Sequence, residues 1–199
     1  DIDYICTYLR ERLAGIHTAN GLIMAAISGI EIALWDLAGK LSGLPVYRLL
    51  GGTFRDRVRL YSCVGYLETY LEMEDVYREM GISILKFDVT PKAVEHIAGT
   101  TMDQHLTRKG LSSIVKLVEE IRGHVGDDVE ISVEGRCGTL ANAIRFVKAL
   151  EPYDLAWAED LIPPTDVDAW ATLTASTSVP TLTGEGLHLR HEFLDYYRK

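Results

Sequence analysis

In the first fifty positions apolar residues recur at three- and four-residue steps. Ile23, Ile27, Ile30 and Leu34 share one helical stripe, and Pro45 after Gly43 breaks it. Residues 1–50 therefore read as helix, closed by the Gly51-Gly52 turn. From Val58 the period changes. Runs rich in β-branched and aromatic residues predict strands at Val58–Val64, Ile82–Asp88, Val129–Glu134, Leu155–Asp160 and Val179–Gly184. Helical patterns fill the gaps at about 72–80, 111–124, 139–150 and 166–175, and another starts near His191. Strand followed by helix, five times over, predicts a parallel sheet with helical crossovers. The long gap after Asp88 holds an irregular segment, Pro91–Lys109, with His96 and His105. It resembles a functional loop more than a linker.

Both an open doubly wound sheet and a (β/α) barrel produce this alternation. No G-x-G-x-x-G follows the first strand, which weakens the dinucleotide-binding version of the open sheet. A barrel is the better expectation, but a whole one takes about 250 residues and eight strands. The 199 residues are thus expected to stop partway round, as an incomplete record of a longer polypeptide.

Composition narrows the class. With 47% hydrophobic and 25% charged residues the chain can bury a core, which argues against disorder. The apolar stretch Met24–Leu34 is interrupted by Ser28, Gly29 and Glu31, so no membrane span is expected. No signal peptide is legible at Asp1-Ile2-Asp3. Three cysteines without metal-ligand spacing disfavour a disulfide framework, and the expected compartment is the cytoplasm. A net charge of −9 with no basic run argues against a nucleic-acid partner. An acidic protein that holds a divalent cation, and through it an anionic substrate, is electrostatically coherent.

The chemistry is concentrated at strand ends. The third, fourth and fifth strands each close on a glutamate: ISVEG (Glu134), WAED (Glu159) and TGE (Glu185). In a barrel these ends share one face, where barrel enzymes build their sites. Three crowded carboxylates need a cation, and oxygen donors without cysteine or histidine favour Mg²⁺ over Zn²⁺. Glutamates also start helices for dipole reasons, which is the plain alternative. The second strand, ILKFD, puts Lys86 and Asp88 on one side, two residues apart. A lysine inside a barrel is either tuned for proton transfer or paired with one of the glutamates.

The segment AISGIEIALWDLAGKLSGLPVYRLLGG, followed by LKFD, WAEDLIPP and TGEGLHLR, resembles the mandelate racemase and muconate lactonizing enzyme branch of the enolase superfamily. That resemblance implies part of a (β/α)7β TIM-like barrel preceded by the C-terminal helices of an α+β capping domain, divided as 1–57 and 58–199. It implies Mg²⁺ held by Glu134, Glu159 and Glu185, with Lys86 as acid or base and Asp88 beside it; Arg136, next to the third-strand glutamate, is a candidate to pair with the substrate's carboxylate or hydroxyls. Two departures shape the expected reaction. Glu134 is followed by Gly135-Arg136 where the family carries Asp, then Asn or His two positions on; and Lys86-Phe87-Asp88 replaces the racemases' Lys-x-Lys. The family's His/Asp pair belongs to later strands. Losing the second lysine resembles the acid-sugar dehydratases: α-proton abstraction from a sugar-acid carboxylate, then loss of water. A racemase, epimerase or cycloisomerase of the same superfamily, or an inactive metal-binding relative, is the alternative, and a homo-oligomer is expected.

Overall fold

The computed structural model describes residues 1–14, 21–103 and 105–199. The chain divides into two compact units, Asp1–Val58 and Arg59–Lys199. In the first, α1 (Ile2–Leu9) is capped by Asp1, whose carboxylate accepts from the Tyr4 amide at 3.2 Å, and runs into a π-helical turn, Arg10–Ala14. Helix α2 (Gly21–Ser42) and α3 (Val46–Leu49) complete the unit. The break at Gly43-Pro45 lies where the sequence puts it, and the expected helix over residues 15–20 lies outside the described residues. At Gly39 an added Cβ would sit 2.8 Å from the Leu44 carbonyl oxygen, so only glycine lets the chain fold back there. Helix α2 runs unbroken through Ser28, Gly29 and Glu31, and by length and composition alone it is long and apolar enough to cross a bilayer, a test that the core helix of a soluble protein also passes.

The second unit opens with β1 (Ser62–Gly65) and α4 (Leu67–Glu79), followed by β2 (Ile84–Asp88) and the short α5 (Pro91–Val94). An antiparallel pair, β3 (Thr101–Met102) and β4 (His105–Leu106), leads into α6 (Arg108–Val125). The rest alternates: β5 (Glu130–Glu134), α7 (Leu140–Leu150), a 3₁₀ turn at Glu151–Tyr153, β6 (Trp157–Glu159), α8 (Val167–Ala175), β7 (Thr181–Leu182) and α9 (Arg190–Arg198). Strands β1, β2, β5, β6 and β7 pair in parallel in chain order. A doubly wound sheet reverses its strand order at a switch point. This one does not, and five consecutive βα units with no reversal form part of a (β/α) barrel.

Strand alternation sorts the side chains. Leu85 and Phe87 on β2, and Ile131 and Val133 on β5, are buried with Ile114, Val118 and Ile121 of α6, Phe146 of α7 and Leu173 of α8. Each such residue contributes roughly 1.5–3 kcal/mol by leaving water. The intervening positions, Lys86, Asp88, Ser132 and Glu134, project to the other face and carry polar groups.

Several boundaries differ from the sequence reading. Strand β1 starts at Ser62 rather than Val58, since Val58 and Leu60 lie exposed. Helices α4 and α6 begin earlier than expected. For α6 the reason is a cap: the Thr107 hydroxyl accepts from the Gly110 amide at 3.1 Å. Among the described residues of Pro91–Lys109, Thr100 is fully buried and its hydroxyl donates to the carbonyls of Val94 (2.6 Å) and Ile97 (2.7 Å).

Candidate active site

Two adjacent rows of the sheet build the site. In one, Lys86, Ser132 and Trp157 are register partners on β2, β5 and β6; in the next, Asp88, Glu134 and Glu159 are. Parallel strands about 4.8 Å apart thus place three carboxylates side by side at the C-terminal edge. Their mutual repulsion has to be offset, and the structure offsets it from the row below. The Lys86 ammonium reaches up between two of them, donating to Glu159 Oε1 at 2.9 Å and Glu134 Oε2 at 3.3 Å. Lys86 and Glu159 are almost wholly buried, at 5% and 4% exposure. The second oxygen of Glu159 accepts from the Trp157 indole N–H at 2.9 Å, and the second oxygen of Glu134 from Arg136 Nε at 2.8 Å. Tyr61 packs edge-on against Trp157 and presents its ring to the Lys86 ammonium at 6.0 Å.

Burial alone would pull the Lys86 ammonium down, but its hydrogen bonds and charge pairing with Glu159 and then Glu134 outweigh this and hold its pKa above the ordinary lysine value. Burial likewise pushes Glu134 up, yet the hydrogen bonds from Arg136 and Lys86 prevail and leave it below the usual carboxylate range. Among the described residues no such donor reaches Asp88. Burial, reinforced by the charge of Glu134, raises its pKa.

Arg136 adopts a left-handed backbone (φ 45°) just past β5, which turns its side chain back over the strand end. From there it pairs with Glu134 and, at 3.6 Å, with Glu185. It also lines two clefts. One, of about 630 Å³, includes Tyr66, Asp88, Thr90, Lys92 and Glu134; the other, of about 340 Å³, includes Asp160, Ile162 and Glu185. Glu185 lies beyond the register row, whose β7 member is Leu182, and it is far more exposed than Glu159. Its pKa is raised chiefly by the neighbouring charge of Asp160.

The structure therefore brings Lys86, Asp88, Glu134, Arg136 and Glu159 to one strand-end face, with Glu185 at its rim. The lysine-to-glutamate pairing that spacing left open is present. The expected convergence of Glu134, Glu159 and Glu185 on one point is not: among the described residues no three His, Cys, Asp or Glu side chains are grouped to hold an ion. The reason is physical, since Lys86 and Arg136 stand between the carboxylates and already neutralise them. The donor chemistry still fits a hard cation, because the set is oxygen-only and the charge of Asp160 beside Glu185 raises the Glu185 pKa even with Arg136 at 3.6 Å. Three participants escaped the sequence reading. Strict alternation turns Asp160 away from the site, but its left-handed backbone (φ 48°) brings it round to accept from the Thr183 hydroxyl at 2.8 Å. Trp157 and Tyr61 gave no signal beyond their aromatic character.

Comparison with known proteins agrees with this architecture. The family described as "Enolase C-terminal domain-like" matches residues 69–199, and "Mandelate racemase / muconate lactonizing enzyme, N-terminal domain" matches residues 6–51, which takes in α2. A D-xylonate dehydratase of Haloferax volcanii is 34% identical over 197 residues, covering 94% of this chain and 47% of its own length. A D-galactonate dehydratase of Xanthomonas axonopodis pv. citri is 34% identical over 185 residues, covering 90% and 46%. The crystal structure of a mandelate racemase/muconate lactonizing enzyme-like protein from Rubrobacter xylanophilus superposes with a TM-score of 0.86 at 32% identity, over 100% of this chain and 55% of that one. The chain thus spans about half the length of the relatives it matches. By sequence and by fold, it belongs to the mandelate racemase and muconate lactonizing enzyme branch of the enolase superfamily.

Proposed function

We propose that the protein is an acid-sugar dehydratase, a hydro-lyase that removes the α-proton of a sugar-acid carboxylate and expels the β-hydroxyl as water. The observation that carries this reading is the carboxylate row Asp88, Glu134 and Glu159, in which Lys86 bonds Glu134 and Glu159 while Asp88 and Glu134 line a cleft of about 630 Å³. The dehydratase relatives support the substrate class. Mg²⁺ would be held by Glu159, Glu185 and Glu134, and when bound it would supply the positive charge that makes a carbon acid beside a carboxylate ionisable near neutral pH. Lys86 holds or moves the proton at its Nζ, a buried ammonium bonded to Glu134, which lines the cleft. Asp88, with its raised proton affinity and its place in the cleft wall, either carries a proton to the departing hydroxyl or orients it. Arg136, shared by both clefts, binds the substrate's carboxylate or hydroxyls. The near-complete burial of Lys86 and Glu159 keeps bulk water from the proton-transfer face. The same reading takes the protein as a cytoplasmic homo-oligomer acting on a small molecule, without nucleic-acid or membrane partners.

The closure of Glu134 by two cations favours one competing reading, a catalytically silent relative. A panel of sugar acids incubated in D₂O with the full-length protein separates the possibilities. Keto-acid formation that stops on chelation is the expected result. Deuterium uptake at the α-carbon without keto acid would instead indicate racemisation, epimerisation or cycloisomerisation, and neither signal would indicate the silent relative.

A further inference from the structure

We propose that Lys86 is a built-in substitute for the divalent cation: its ammonium lies between Glu134 and Glu159, two of the residues that would hold the metal, and metal loading exchanges it off both carboxylates toward Ser132. This rests on the reading of Glu134 and Glu159 as metal ligands.

The hydrogen-bond pattern separates exchangeable positions from fixed ones. Glu159 Oε1 is held by the Lys86 ammonium at 2.9 Å, and Oε2 by the Trp157 indole N–H at 2.9 Å. A neutral N–H on one oxygen is compatible with a cation on the other, whereas an ammonium on that other oxygen is not. Trp157 is therefore a positioning residue that keeps the carboxylate oriented while its partner changes. On Glu134, likewise, Oε2 is the oxygen that Lys86 occupies.

A displaced ammonium cannot simply leave, because Lys86 is 5% exposed. It needs a new acceptor within the same layer, and the structure holds one unused. Ser132 Oγ, on a fully buried residue, is the buried side-chain oxygen that has no hydrogen-bond partner among the described residues. Ser132 is the register partner of Lys86 on the adjacent strand, with Trp157 opposite it on the next. An orphaned buried hydroxyl is costly, so one beside a mobile ammonium acquires a reason to exist if the ammonium moves to it. The Tyr61 ring, 6.0 Å from Nζ, lies against the same ammonium and provides a second favourable surface for it.

The test measures Mg²⁺ and Mn²⁺ binding by the full chain, by calorimetry and by Mn²⁺ paramagnetic resonance. Lys86→Met should bind either ion at least about tenfold more tightly than the wild type, the size expected when one charge-assisted competitor is lost. Ser132→Ala should weaken binding several-fold while leaving the metal-free melting temperature unchanged or higher, a combination that a merely structural serine would not give. In case Lys86→Met does not fold, the wild type decides: on Mg²⁺ saturation the ¹⁵Nζ resonance of Lys86 should shift and the indole resonance of Trp157 should keep its hydrogen-bonded position. Metal binding that is equal or weaker in Lys86→Met, or a Lys86 resonance that ignores Mg²⁺, overturns the exchange and leaves the metal reading intact. Binding by neither wild type nor variant overturns both.

Discussion

Glu159 is a carboxylate removed from water and held by two donors, one cationic and one neutral. Removing the neutral one isolates its effect. Trp157→Phe should lower stability by about 2 kcal/mol, the usual contribution of a hydrogen bond to a charged group, read as a fall in the thermal midpoint. An unchanged midpoint would mean that water takes the place of the indole. Gly135 illustrates a different constraint: an added Cβ would press on Leu161 and lie 3.0 Å from the Phe146 ring, so Gly135→Ala should cost about 1–3 kcal/mol through overpacking. The thiols differ as sharply. Burial pushes Cys137 up to about 12, while Cys63 is exposed. At pH 8 iodoacetamide should label Cys63 in the native protein and Cys137 only after unfolding, as mass spectrometry of digested protein would show. At this scale the sequence announced the acids and the lysine, because charged residues at strand ends are conspicuous. It hid Asp160, whose left-handed backbone breaks the alternation on which its orientation was judged.

Helix α9 begins without a capping side chain at its first position. Instead the Glu192 carboxylate reaches back to the amides of His188 (2.8 Å) and Leu189 (2.6 Å). Those bonds hold its pKa below the usual glutamate value. A depressed folded-state pKa means that the stabilisation is fully present above the unfolded value, about 4.3, and is lost as pH falls through the lower folded one. Amide exchange at His188 and Leu189 should therefore accelerate, relative to its intrinsic rate, between pH 5 and pH 3, and Glu192→Gln should remove most of that dependence. Elements with strong periodicity, such as α7 at Leu140–Leu150, were legible almost to the residue. The β3–β4 pair was not, since two-residue strands carry too little pattern to register. Its seat was hidden as well: a Cβ on Gly110 would run into the Thr100 carbonyl, a close approach that only three dimensions reveal.

For the molecule as a whole, alternation of strand and helix established an α/β chain but left barrel and open sheet unresolved, because both share that period. Strand order decided it, and strand order depends on long-range pairing that a local pattern does not encode. If a cation loads the site only in the native state, Mg²⁺ at a hundred times its dissociation constant should raise stability by about 2.7 kcal/mol. Glu159→Gln should abolish that increment, and equal melting curves with and without Mg²⁺ would count against a metal site.

The sorting of β2 and β5 into helix-facing and polar positions means that two messages are written on the same eight residues, Leu85–Asp88 and Ile131–Glu134, in alternate letters. Leu85, Phe87, Ile131 and Val133 spell the fold, while Lys86, Asp88, Ser132 and Glu134 spell the chemistry. Saturation mutagenesis across both strands, scored separately for protein abundance and for ligand binding, should give a comb: damage to abundance peaking at Leu85, Phe87, Ile131 and Val133, damage to binding at their neighbours. A scaffold whose vocabulary is divided in this way can change what it says about a substrate while its grammar stays the same, one alternate position at a time.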